Sequence, residues 1–185
     1  MSELESYRTM IGFATADLEE VVTTIPDDVF GMRPVPGANP ASFVYFHVLR
    51  HWDRDITVRI QGTDPAQDAW HRGGFTEITG YNPDGKGDPG IGTGYGYSQA
   101  EVDEVTADKA SLLHYHRTLK DQTDALLSSL DDASLRIPRP SPSASTLTTA
   151  GRLQHLIAHT YLHIGDIEYI KGLIGAPSCD VPNIG

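Results

Sequence analysis

The sequence predicts an all-α chain with four main helices. Apolar residues recur at three- and four-residue steps through four long stretches, prolines and glycines punctuate the chain between them, and no strand-like alternation competes. With 185 residues and 39% hydrophobic content, one domain spanning 1–185 around a single core is expected.

Each element has a local signature. Ser2-Glu3-Leu4-Glu5 has the form of a capping box, and Leu4, Met10, Ile11, Leu18, Val21 and Val22 follow at helical spacing, so a first helix runs to about Thr24 and ends at Pro26. The Pro- and Gly-rich stretch Gly31 to Pro40 is a loop. Asn39-Pro40 then reads as an N-cap followed by proline at the first helical position, opening a second helix near Ala41 that continues through Phe43, Phe46, His47, Leu49, Ile56 and Ile60 to Gly62. Thr63 to Tyr97 is a glycine-rich crossover. Its scattered aromatics Trp70, Phe75, Tyr81, Tyr95 and Tyr97 provide apolar area to pack it against one end or side of a bundle. Within it, Gly90-Ile91-Gly92-Thr93-Gly94 only superficially resembles a phosphate-cradling loop, because no Lys-Ser/Thr follows and no apolar strand precedes it. A second capping box, Ser98-Gln99-Ala100-Glu101, opens a third helix of about thirty residues, or ~45 Å. Pro138, Pro140 and Pro142 break it, a Ser/Thr-rich linker from Ser141 to Thr149 follows, and a fourth helix runs to Leu173 before Gly175 and Pro177.

Composition excludes several classes. A formal charge of −11 and the lack of any basic cluster argue against a nucleic-acid partner, which would require a surface that displaces phosphate counterions. No run approaches the ~18 apolar residues of a membrane span, and Met1-Ser2-Glu3-Leu4-Glu5 lacks the basic start of a leader, so a cytoplasmic location is expected. The one cysteine, Cys179, has no partner for an internal disulfide and is assigned no role.

The chemistry concentrates in histidines. On the fourth helix His155, His159 and His163 recur every four residues and form a slowly drifting stripe. Imidazoles one turn apart can grip one metal ion, and an open catalytic site needs at least one further ligand. On the second helix His47 sits among Phe43, Phe46 and Val48, an odd place for an imidazole without a partner, and His51 competes one turn on. His71 falls in the crossover, and His114 and His116 face roughly 200° apart and read as surface residues. Arg50 and Arg54 read as solvated, with a lesser role in receiving an anionic thiol or carboxylate at the mouth.

The ordered set Met32-Arg33-Pro34-Val35-Pro36-Gly37, Phe46-His47-Val48-Leu49-Arg50-His51-Trp52-Asp53-Arg54 and His159-Thr160-Tyr161-Leu162-His163-Ile164-Gly165-Asp166 resembles the DinB/YfiT-like superfamily of small metal-binding four-helix proteins, and the likeness covers most of the chain. It implies a four-helix bundle in which one His from helix two and two from helix four surround a divalent ion, typically zinc or nickel, with open positions. Carried over residue by residue, the ligands are His47, His159 and His163, and His51 and His155 are departures from the plain pattern. Asp53 and Asp166 are candidates for orienting the ligands, Asp53 through an imidazole or an arginine. Some members use bacillithiol or other low-molecular-weight thiols, and one is a mycothiol-dependent maleylpyruvate isomerase. The resemblance therefore implies a metal-dependent thiol S-transferase, hydrolase or isomerase acting on a small electrophile. The alternative is a non-catalytic metal- or ligand-binding stress-response protein. A homodimer through an exposed apolar strip of the first or third helix is also expected, two-fold dimers being the commonest soluble oligomers.

Overall fold

The computed structural model describes residues 2–139 and 146–177; Cys179 and linker residues 141–145 lie outside the described residues. Helix α1 (Glu3–Thr23) starts where the Ser2 hydroxyl accepts from the Glu5 amide. A short turn, α2 (Asp27–Phe30), precedes the proline-rich loop, and α3 (Ala41–Asp53) follows. Its N-cap residue is Pro40 and carries no side-chain cap, so Asn39 does not play the capping role its position suggests.

After Asp53 the helix widens into a π-helical segment, Arg54–Ile60. The Thr57 hydroxyl donates to both the Asp53 carbonyl and the Asp53 carboxylate, at 2.7 and 2.8 Å, and so competes for the acceptor that an ordinary helical amide would use. The crossover contains two one-turn helices, α4 (Ala69–Arg72) and α5 (Phe75–Thr79).

The single third helix expected from Ser98 is instead two. The Ser98 capping box forms in both directions, but α6 (Gln99–Asp103) stops after five residues, and α7 (Lys109–Ser129) has its own N-cap in Asp108. The Asp108 carboxylate accepts from the Ser111 amide at 2.7 Å, a bond that requires extended backbone at 108 and so ends the helix before it. Two short strands then pair, Pro138–Arg139 with Leu147–Thr148, where the sequence suggested none. Helix α8 (Thr149–Ile174) is capped by the Thr148 hydroxyl and closed by Gly175 in the left-handed conformation, φ 69°.

The four long helices form a bundle in which α1 and α3 each pack against both α7 and α8. The second and fourth main helices are thus neighbours. Leu18, Phe46, Leu49, Trp52, Leu119, Leu153 and Ile167 fill the centre. The crossover lies over the side where α3 meets α7, with Trp70 and Phe75 wholly buried against Phe46 and Tyr115. His116 is not the surface residue its sequence context suggests. It is buried, its Nδ1 lies 2.7 Å from the Tyr45 hydroxyl, and burial lowers its pKa to about 4.

A larger departure is a buried ionic network, for Arg50 and Arg54 are also enclosed instead of solvated. Arg50 Nη1 lies 3.2 Å from Asp53 Oδ2 and 3.1 Å from Asp68 Oδ2, and Arg54 Nε lies 3.4 Å from the same Asp68 oxygen. Asp53 also accepts from the Tyr115 hydroxyl at 2.5 Å and from the Ala69 and Trp70 amides at 3.0 and 2.9 Å, while the Arg50 guanidinium stacks over Trp70. Burial opposes the charge on Arg50, yet Tyr115, Asp68 and Asp53 outweigh it and hold the guanidinium firmly protonated. Burial likewise opposes the charge on Asp68, and Arg50, the His71 amide and Arg54 pull its pKa below the ordinary carboxylate value.

Because two arginines and two aspartates neutralise one another inside the protein, removing one leaves an uncompensated buried charge. Asp53→Ala is expected to lower the unfolding free energy by about 3–5 kcal/mol, measured by urea denaturation at neutral pH.

Candidate metal centre

The arginines fix a loop, and the loop fixes a histidine. Arg54 Nη2 donates to the Ile91 carbonyl at 3.1 Å, Arg50 Nε to the Gly92 carbonyl at 3.1 Å, and His47 Nδ1 lies 2.6 Å from the Thr93 carbonyl. Residues 47, 50 and 54 follow one another at three- and four-residue steps along one face of α3 and the start of the π-helical segment that continues it, so one helical stripe binds three successive loop carbonyls. The Gly90–Gly94 stretch therefore turns acceptors toward the helix, the opposite polarity from a phosphate cradle, which presents amides. Gly94 has φ 85°, and a Cβ there would sit 2.9 Å from His47 Nδ1, so both the backbone conformation and the close approach require glycine.

A carbonyl can only accept, so the Thr93 contact places the proton on His47 Nδ1 and leaves Nε2 with a free lone pair. On α8 the pattern repeats. His163 Nδ1 lies 2.8 Å from Asp166 Oδ2, which fixes the same tautomer by means of a carboxylate. His163 Nε2 then faces His159 Nε2 at 3.2 Å. One ring nitrogen from each of His47, His159 and His163 lies within 4.8 Å of the others, and the rings sit 4.5 to 5.0 Å apart, centre to centre. Among the described residues this is the only group of three or more His, Cys, Asp or Glu side chains so arranged.

Burial keeps His47 and His159 neutral. It lowers the pKa of His47 to about 4 and that of His159 to about 3, in each case aided by neighbouring histidines. Neutral imidazole is the form that binds metal. His51 stands beside the group, its ring 4.7 Å from that of His47 and 4.6 Å from that of His159, and burial lowers its pKa to about 2. His155 is drawn aside by Asp55, whose Oδ2 lies 3.0 Å from its Nδ1.

Of the two carboxylates singled out in the sequence, Asp166 holds His163, whereas Asp53 bonds Arg50, Tyr115, Thr57 and two crossover amides and none of the three imidazoles. Asp53 thus acts on the site only through Arg50 and the loop. Sequence reasoning missed Asp55, buried on the π-helical segment and contacted by Arg59, Arg152 and His155. It also missed the Thr93 carbonyl and Asp68, whose one readable signal was its N-cap position before Ala69.

A cavity of about 320 Å³ opens beside His47 and His163, walled by Phe43, Tyr97 and Gly94 with Asp166 at its edge. That size suits a small ligand. No helix among the described residues is long and apolar enough to cross a membrane.

Fold and geometry together define a helical bundle whose histidine cluster spans two neighbouring helices and faces a pocket. Residues 10–167 match the family model of the DinB superfamily, and the chain belongs to that superfamily. A crystal structure titled as the conserved protein of a locus from Enterococcus faecalis aligns with a TM-score of 0.76 over 95% of this chain and 99% of that one, at 18% identity. This is a likeness of fold. A search of curated proteins gives no match.

The approach of Gly94 to His47 is open to test. Gly94→Ala forces a side chain into a left-handed backbone against the imidazole, and a loss of about 1–3 kcal/mol is expected in urea unfolding.

Proposed function

We propose that the chain binds one divalent ion, zinc or nickel, through His47, His159 and His163, and that it is a metal-dependent enzyme acting on a small electrophile as a thiol S-transferase, hydrolase or isomerase. The observation that carries this reading is the convergence of three ring nitrogens, with His47 and His163 oriented by Thr93 and Asp166. Ring nitrogens facing one another at 3.2 Å suit a shared ion, since zinc–nitrogen bonds of ~2.0–2.1 Å in tetrahedral geometry put ligand atoms ~3.3 Å apart. An all-imidazole set suits zinc or nickel better than magnesium or calcium, which prefer oxygen.

A bound divalent ion lowers the pKa of a thiol or water and keeps the resulting nucleophile beside an electrophile. The chain's own residues supply the rest. Thr93 and Asp166 keep the two imidazoles in one orientation, so little order has to be gained when the ion binds. Phe43 stacks on His47 with ring planes 13° apart and, with Tyr97, gives the pocket beside the cluster an aromatic wall. Three protein ligands leave a position open toward that pocket, as a catalytic site requires, and a low-molecular-weight thiol co-substrate would occupy it.

The test is metal content by elemental analysis after loading with zinc or nickel. About one ion per chain is expected, falling by most of its value in His47→Ala, His159→Ala or His163→Ala and by much less in His51→Ala or His155→Ala. Retention in His163→Ala with loss in His155→Ala would contradict the assignment.

A further inference from the structure

We propose that the pocket beside the three histidines admits uncharged or cationic small molecules with a flat apolar group and rejects those carrying a carboxylate or phosphate away from the reacting end. The inference rests on reading that pocket as the substrate site. Its walls near the histidines are the rings of Phe43 and Tyr97, 5.7 Å apart, with Val44 and Val102 beyond. The end farthest from His47 is set by Asn39, just before the start of α3 at Ala41, which lies six residues or ~9 Å of helical rise from His47. Gln99 lines the same end, because Arg33 ties the two segments together, donating to the Ala38 carbonyl at 2.5 Å and to the Gln99 carbonyl at 3.4 Å. The side-chain amides of Asn39 and Gln99 make no hydrogen bond with any described residue. They are therefore free to serve a neutral polar group on a ligand.

Charge decides the class. The pocket wall contains no lysine or arginine, and its one carboxylate, Asp166, has an oxygen to spare beyond the one bound to His163. The nearest arginines are committed elsewhere. Arg33 is held by Asp103 and two carbonyls, Arg50 by Asp53, Asp68 and Gly92, and Arg54 by Asp68, Pro65 and Ile91. A ligand carboxylate at the Asn39 end would gain no unpaired cation as counter-charge, in a chain of formal charge −11, and nearer the histidines it would meet Asp166. A divalent ion held by the histidines would place its positive charge at the opposite end of the pocket, where the reacting group sits. An anionic thiol or carboxylate received by Arg50 and Arg54, a role open to them in the sequence, is inconsistent with their burial.

The test uses benzamide, benzamidine and benzoate, which share one ring and differ in charge, titrated into metal-free, 15N-labelled protein while the Gly94 and Gly96 amides and the side-chain amides of Asn39 and Gln99 are followed by NMR. Benzamide and benzamidine are expected to shift these signals, with benzoate binding at least about tenfold more weakly. Gln99 is on the surface, so Gln99→Lys is expected to keep the fold, to raise benzoate affinity by about tenfold and to lower that of benzamidine. Benzoate binding as tightly as benzamide, an absence of shifts at this pocket with all three, or a Gln99→Lys ranking unchanged from that of the native chain would each overturn the proposal. Since the titration needs no metal, its outcome is separate from the elemental analysis, which can fail or succeed on its own.

Discussion

The arrangement depends on burying two arginines and two aspartates where α3 meets the crossover. Enclosing Arg50, Arg54, Asp53 and Asp68 costs hydration, and their mutual contacts offset that cost only while every member stays in place. The network contributes specificity. Two crossover amides must reach Asp53 and two loop carbonyls must reach the guanidinium groups, so a long glycine-rich segment with many available conformations has a single way to lie against the helix. Once Ile91 and Gly92 are pinned, the next carbonyl, that of Thr93, falls on His47.

The histidine cluster therefore depends on a network that does not touch it. His47 belongs to the same helical stripe as the arginines and takes its tautomer from the same loop, while His163 takes its own from Asp166 on the next turn of α8. The π-helical segment after Asp53 adds a second adjustment. It carries Asp55 toward α8, where the carboxylate occupies His155, so that of the three histidines in the α8 stripe only His159 and His163 join His47.

The four helices and the three ligand candidates were legible in the sequence because their signals are local. Periodicity reports a buried face, and an imidazole on such a face one turn from another is uncommon enough to notice. What failed was decided by distant partners. Arg50 and Arg54 looked solvated because charged side chains are seldom fully buried, and their acceptors lie some forty residues on in a stretch with no pattern of its own. His116 looked exposed because Tyr45, its partner, is 71 residues away. The break between α6 and α7 was masked by Val105 and Ala107, which are buried although neither is in a helix, so the apolar rhythm runs through the gap and only Asp108 marks the restart. Asp53 read as a carboxylate beside an imidazole or an arginine, and of these two it contacts the arginine, Arg50.

X-ray absorption at the zinc edge of the zinc-loaded protein tests the central claim most directly, because it reads the number and kind of ligand atoms. The account predicts three imidazole nitrogens at ~2.0–2.1 Å with one further light atom from water, or a longer sulfur contact of ~2.3 Å when a thiol is added. A fit requiring four or more imidazoles would mean that His51 or His155 closes the site, and a shell dominated by carboxylate oxygen would mean that the histidine cluster is not the metal centre.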